Sequence, residues 1–232
     1  MTRTHSPAPA DLARQTLGHL LLLNPNTSRL TTRRMLRAAR QGPGAGLTIT
    51  ARTAAFGTAL ITDDAALRTA EEAVLDIAAL PLDPPPDAVV VAAFGDPGLD
   101  RLRSRFSCPV IGLAEASMTE AAAGDRRFAV ATTTPLLAEA IRRSAVHYGF
   151  GALLTSVRTT KDDPDRLMED PPALQAALYR EVDRAVNEDG AEAVVVGGGP
   201  LVSVARWLSR EFSVPVIEPV PAAIRAVLRA LG

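Results

Sequence analysis

Thiols are nearly absent from this chain of 232 residues, whose only cysteine is Cys108. A lone cysteine excludes an intrachain disulfide and any multi-cysteine zinc site. Histidine is scarce too, and His5, His19 and His147 share no metal-ligand spacing, so no metal is implied. No uninterrupted apolar run approaches the roughly 18 residues needed to cross a bilayer. Residues 1–17, with Pro7 and Pro9 and no apolar signal core, read as a loose leader on a cytoplasmic protein. Charge of either sign is not in excess, the formal net charge being −1. Nucleic-acid and anionic-membrane partners leave a concentrated basic face, so near-neutrality argues against both. Arg29, Arg33, Arg34, Arg37 and Arg40 come nearest to such a face, but their helical spacing reads as a solvated helix surface.

With 47% hydrophobic and 22% charged residues, the chain can bury one large core or two small ones. Short apolar runs alternate with helical patterns throughout. The expected strands are His19–Leu23, Leu47–Ala51, Ala88–Phe94, Pro109–Leu113, Phe128–Thr132, Leu153–Val157, Ala191–Val196 and Pro215–Ile217. Runs such as Val89-Val90-Val91 and Val194-Val195-Val196 suit strands buried on both faces, as in a parallel sheet. The expected helices are Ser28–Ala39, Asp64–Ala79, Pro97–Arg105, Pro135–Tyr148, Pro172–Glu188, Pro200–Glu211 and Pro221–Leu231. Several open on proline, which the first helical turn tolerates. Such alternation means βαβ units with right-handed crossovers.

The chain also repeats itself. Asn24, at the end of Leu21-Leu22-Leu23, is followed 69 positions later by Ala93 behind Val89-Val90-Val91, and 19 beyond that by Gly112 in Cys108-Pro109-Val110-Ile111-Gly112. Thr132, ending Phe128-Ala129-Val130-Ala131, is followed 66 positions later by Gly198, and 20 beyond that by Glu218 in Val214-Pro215-Val216-Ile217. Three strand ends recurring in one order point to duplication. The expected architecture is α/β, with two pseudo-symmetric parallel-sheet halves (18–118 and 119–232) and a cleft between them, the C-terminal helix packing back on the first half. Ligands of open parallel sheets bind beyond the carboxyl ends of the strands. That rule sets Asn24, Ala93, Thr132 and Gly198 around one cleft.

Each strand end carries a motif. Asn24-Pro25-Asn26-Thr27-Ser28 opens a helix, with Asn24 expected to contact a carboxylate or amide and Thr27 or Ser28 to cap. In Ala93-Phe94-Gly95-Asp96-Pro97-Gly98-Leu99 the glycines allow a sharp turn, and Asp96 either caps the following helix or points inward. Thr132-Thr133-Thr134-Pro135 offers three hydroxyls before a proline-led helix. Gly197-Gly198-Gly199-Pro200 can form an anion-binding nest. It lacks the G-x-G-x-x-G pattern and the acidic residue of a dinucleotide site, so no cofactor is implied.

Together, Asn24–Ser28, Phe94–Leu99, Val110-Ile111-Gly112-Leu113-Ala114-Glu115-Ala116, Ser156-Val157-Arg158 and Val214-Pro215-Val216-Ile217 resemble the hydantoin/allantoin branch of the aspartate/glutamate/hydantoin racemase superfamily, in that family's order from about Leu20 to Leu231. The resemblance implies a site between two pseudo-symmetric halves, a small-molecule substrate and self-association. It also implies two cysteines that move a proton between opposite faces of the substrate's α-carbon. The motif sets the first just before Phe94, where Ala93 stands, and the second just after Gly197, where Gly198 stands. Cys108, at the start of a strand, lies at the wrong end for catalysis. The cradle that remains comprises Asn24, Ala93, Phe94, Gly95, Thr132, Thr133, Gly198 and Gly199. The candidates for replacement acid/base work are Glu115, Asp96, Ser117 and His147, the last chosen for its pKa. The expectation is an enzyme with altered, cysteine-independent chemistry on a small carbonyl or carboxylate carbon acid, of lyase, decarboxylase or isomerase type. A catalytically silent ligand-binding homologue is the alternative, and a true two-base racemase the least supported reading.

Overall fold

The computed structural model describes residues 17–232, so the leader reading falls, apart from Leu17, outside the described residues. Two four-stranded parallel sheets form, and each repeats one topology. The first comprises β1 (His19–Asn24), β2 (Thr48–Thr53), β3 (Ala88–Val91) and β4 (Val110–Gly112), in the order β2-β1-β3-β4. The second comprises β5 (Phe128–Thr132), β6 (Leu154–Thr159), β7 (Ala193–Val196) and β8 (Val216–Ile217), in the order β6-β5-β7-β8. All eight expected strands are present. The expected run Ala88–Phe94 leaves the ladder after Val91, so Ala92, Ala93 and Phe94 project past the sheet edge.

The apolar runs divide their side chains between two faces, because successive residues of a strand point in opposite directions. Leu20, Leu22 and Val90 pack on one side of the first sheet with Met35, while Leu21, Leu23, Val89 and Val91 pack on the other with Val74, Ile77 and Leu102. In the second sheet Ala129, Ala131, Val194 and Val196 face Leu178, Val182 and Leu208, and Phe128, Val130 and Val195 face Ile141 and Ala145. Coverage of both faces explains why these strands read as continuous apolar runs rather than alternating ones.

Helices α1 (Arg29–Ala39), α2 (Asp64–Ala79), α3 (Leu99–Arg105), α5 (Ala138–His147), α7 (Pro171–Asn187), α8 (Val202–Leu208) and α9 (Pro219–Leu231) realise the seven expected ones, α2 with the expected bounds and the others with at least one end shifted. Ser28 caps α1 by accepting the Thr31 N–H at 3.2 Å, and Asp63 caps α2 by accepting the Ala66 N–H at 2.7 Å. Helix α3 starts at Leu99 rather than Pro97 because Gly98, at φ 73°, turns the chain first. Two helices carry no expectation: α4 (Leu113–Ala121) and the six-residue α6 (Pro164–Glu169). Helix α4 leaves β4 with no intervening loop, and no local side chain caps it.

The last helix crosses between the halves. It follows β8 of the second sheet, yet Val220, Ala223, Ile224 and Val227 share a core with Leu20, Leu22 and Val90 of the first. Arg225 on α9 and Glu120 on α4 form a bidentate pair, at 2.8 Å from Nε and 2.6 Å from Nη2. Truncating Ile224, which is 1% exposed, leaves a cavity under this crossing. Ile224→Ala is expected to lower unfolding stability by about 2–5 kcal/mol in urea titration. A loss below roughly 1 kcal/mol would show that α9 is dispensable to the first core.

Candidate active site

The carboxyl ends of the two sheets open on one cleft of about 550 Å³. Its lining comes from both halves. The first half gives Asn26 from the β1–α1 loop, Leu60 and Ile61 from the segment before α2, and Ala92, Ala93 and Phe94 from beyond β3. The second half gives Thr132, Thr133 and Thr134 after β5, Leu137 and Ile141, Met168 of α6, and Gly197 to Leu201 after β7. This is the place where parallel-sheet topology puts unpaired strand ends and helix starts.

One wall of the cleft is polar and uncharged. The Thr132 and Thr134 hydroxyls bond each other at 3.0 Å, which uses one of their two hydrogens and leaves the other to donate. Thr133 adds a third hydroxyl, and all three threonines are buried. Asn26 commits its Oδ1 to Asn24 Nδ2 (2.8 Å) and to the Ser28 N–H (3.0 Å), so its own Nδ2 is the group left to donate. The amide N–H groups of Ala93, Thr133 and Gly198 bond no carbonyl of the described backbone. Gly198 adopts φ 152°, and a Cβ there would lie 3.1 Å from the Leu201 side chain. The remaining wall, made by Leu60, Ile61, Phe94, Leu137, Ile141 and Met168, is apolar. None of the described residues lining the cleft is Asp, Glu, His, Cys, Tyr, Lys or Arg.

Of the eight residues expected to form a cradle, Ala93, Phe94, Thr132, Thr133, Gly198 and Gly199 meet in the cleft and two do not. Asn24 is fully buried behind it, donating to Asn26 Oδ1, to the Thr32 hydroxyl at 2.9 Å and to the Ser28 carbonyl at 3.3 Å. Its role is to brace the loop that presents Asn26. Gly95, at φ 104°, turns the chain away and lines a separate hollow.

The four acid/base candidates lie elsewhere. Ser117 is buried within α4, its hydroxyl donating to the Leu113 carbonyl at 2.5 Å. Glu115 points to the outer surface, paired with Arg103. His147 is largely exposed at the end of α5, 3.8 Å from Asp100. Together with Asp96, Tyr148 and Gly95 it lines an outer hollow of about 780 Å³ that shares no lining residue with the cleft.

Asp96 caps neither its own helix nor the cleft. At φ 48° and 5% exposed, its carboxylate accepts the N–H groups of Ala114 and Glu115, both at 2.8 Å, and so caps α4 from a distance. The Tyr148 hydroxyl donates to it at 2.8 Å. Burial pushes the Asp96 carboxyl up to about 6, against the pull of these three donors. Burial and the facing carboxylate in turn push the Tyr148 phenol upward, so it stays a donor. Gly112 is obligatory beside them, because a Cβ there would fall 2.3 Å from the Asp96 carboxyl carbon.

Some lining residues carry no sequence signal. Asn26 and Thr134 look like loop and capping residues, and Leu60, Ile61, Leu137, Ile141 and Met168 look like ordinary core. Only the meeting of two halves brings them to one surface.

The raised pKa of Asp96 sets the sign of its pH effect. The folded state holds a proton at this site up to about pH 6, whereas the unfolded chain releases it near the ordinary value of about 3.9. The resulting stabilisation is fully present below about pH 4 and is lost as pH rises through 6, amounting to about 3 kcal/mol. In Asp96→Asn the stability lost by the wild type between pH 4 and 7 is expected to be largely retained, as read by urea unfolding across that range. Equal slopes in the two proteins would remove Asp96 as the source.

Comparison with known proteins agrees with this geometry. Residues 20–227 match the family described as Asp/Glu/Hydantoin racemase. A hydantoin racemase of Paenarthrobacter aurescens is 35% identical over 217 residues, covering 92% of each chain. Among solved structures, the allantoin racemase of Klebsiella pneumoniae superposes with a TM-score of 0.84 at 32% identity, covering 90% of this chain and 85% of its own. The allantoin racemase of Pseudomonas fluorescens gives 0.84 at 28% identity, covering 90% and 88%. With one family spanning nearly all of both halves, the chain belongs to the Asp/Glu/hydantoin racemase family.

Proposed function

We propose that this protein is an enzyme of the family with altered, cysteine-independent chemistry, acting on a small carbonyl or carboxylate carbon acid as a lyase of the decarboxylase type. The observation that carries the reading is the cleft lining, which is rich in neutral donors and has no titratable side chain among the described residues. In our reading Ala93 and Gly198 stand where the family's racemases hold their two thiols, and neither a methyl group nor a hydrogen atom can move a proton.

The lining favours one reaction type over the others. Racemisation, isomerisation by proton shift and elimination all begin with a base that removes the α-proton. Decarboxylation does not: the carbon–carbon bond breaks, CO₂ leaves, and the electron pair of that bond enters the carbonyl as an enolate. In this reading Thr132, Thr133, the Asn26 amide and the Gly198 N–H donate to the developing oxyanion. Solvent water returns a proton to carbon, leaving hydroxide. A leaving carboxylate against Leu60, Ile61, Leu137 and Ile141 is poorly solvated, whereas CO₂ is neutral and suits that wall. The chemistry of the two walls suits a malonate-type acid with a compact apolar substituent.

A second reading, a catalytically silent ligand-binding homologue, is favoured by the same lack of a proton-moving group. Proton NMR in D₂O on a panel of substituted malonates, hydantoins and amino acids separates the two. The expected result is loss of malonate carboxylate with deuterium incorporation, and no α-proton exchange on hydantoins or amino acids. Thr132→Val is expected to slow turnover about 100-fold, the scale of one lost oxyanion donor. Ligand-dependent thermal stabilisation without turnover would establish the silent reading. Exchange on a hydantoin above a heat-killed control would overturn both.

A further inference from the structure

The exposed arginines of α1 border a groove. Arg33, Arg34 and Arg37 form one side of a groove of about 1240 Å³, with Arg206 of α8 and Arg225 of α9 opposite and Glu218 beside them. Five guanidinium groups and one carboxylate are thus gathered in a chain whose formal net charge is only −1. Arg33, Arg34 and Arg37 form no ion pair among the described residues. Arg33 and Arg37 stand at i, i+4, where like charges destabilise an isolated helix. Glu218 and the Glu120 partner of Arg225 offset part of the groove's charge, and a bound anion would offset the rest.

The groove's place in the fold is equally specific. Arg206 on α8 donates to Gln41 just past α1, a contact across the two halves. Helix α1 follows the loop that presents Asn26, and α8 follows the turn of Gly198 and Gly199. The groove therefore lies at the side of two helices whose approach segments line the cleft.

We infer that this groove is a second ligand site, taking a small polyanion with two or more phosphate or carboxylate groups, which bridges α1 of the first half and α8 of the second. Guanidinium forks bind such groups bidentately, and the groove has room for a small molecule. The inference is independent of the chemistry in the cleft.

Isothermal titration of the full chain with inorganic tripolyphosphate, and separately with citrate, tests it. The expected result is saturable one-to-one binding of tripolyphosphate that weakens as salt rises. Its affinity should fall at least tenfold in Arg33→Ala/Arg37→Ala and also in Arg206→Ala, whose far-ultraviolet dichroism matches wild type. Citrate binding at comparable affinity would extend the class to carboxylates, and its failure would restrict it to phosphates. No saturable binding, or unchanged affinity in Arg206→Ala, overturns the bridging site. So does self-association lost in Arg33→Ala/Arg37→Ala, which would give the groove to a second copy. Tighter binding of a duplex oligonucleotide than of tripolyphosphate would overturn the small-ligand assignment.

Discussion

A single buried carboxylate ties the end of β3 to the start of α4 and to Tyr148 of the second half. Asp96 leaves the first sheet just past β3, takes the N–H groups of Ala114 and Glu115 in the first turn of α4 and receives the hydroxyl of Tyr148 just past the end of α5. A helix N-terminus has unpaired N–H groups and a partial positive charge, which offset part of the cost of burying a carboxylate there. The cost is visible in the raised pKa of Asp96. Replacing such a group by an apolar one would orphan three donors at once, and each buried orphan costs about 1–3 kcal/mol. Much of the local structure follows from this contact: β4 can run into α4 without a loop, Gly112 must lack a side chain, and Ala93 and Phe94 are held at the edge of the cleft.

That contact also explains what could be read from the sequence and what could not. The strands were legible because Leu20–Leu23, Val89–Val91 and Val194–Val196 are apolar at every position, a pattern set by burial on both faces. The duplication was legible because three strand ends recur at matching spacings. Helix α4 was not, since the group that caps it lies 18 positions upstream of its first bonded N–H, on another element. Asp96 looked like a cap for its own helix for the same reason: short-range rules see only neighbours.

The site was half legible. Strand ends locate the cleft, so Ala93, Thr132 and Gly198 could be placed by topology alone. Orientation at a strand end could not be read so simply. Asn24 and Asn26 are two positions apart with the same side chain, yet one braces the loop and the other faces the cleft. Similarly, Glu115, Ser117 and His147 have suitable chemistry but lie on faces of α4 and α5 turned away from it. A titratable residue near a strand end in sequence is a poor guide when the intervening helix decides which way it points.

Gly198 bears on what the cleft could carry at that position. At φ 152° the chain passes through a conformation that residues with a Cβ rarely adopt, and any Cβ would press on Leu201 at 3.1 Å. A side chain added there would strain the backbone, and the Leu201 side chain would have to give by a few tenths of an ångström. The neighbouring glycines are closely fitted as well, with a Cβ at Gly197 meeting Phe94 at 3.0 Å and one at Gly199 meeting the Met35 sulfur at 2.9 Å. The three-glycine turn is therefore a packed feature of this cleft, with backbone close to the space a ligand would occupy. Such a turn brings N–H groups near a developing negative charge more readily than it positions a side-chain base.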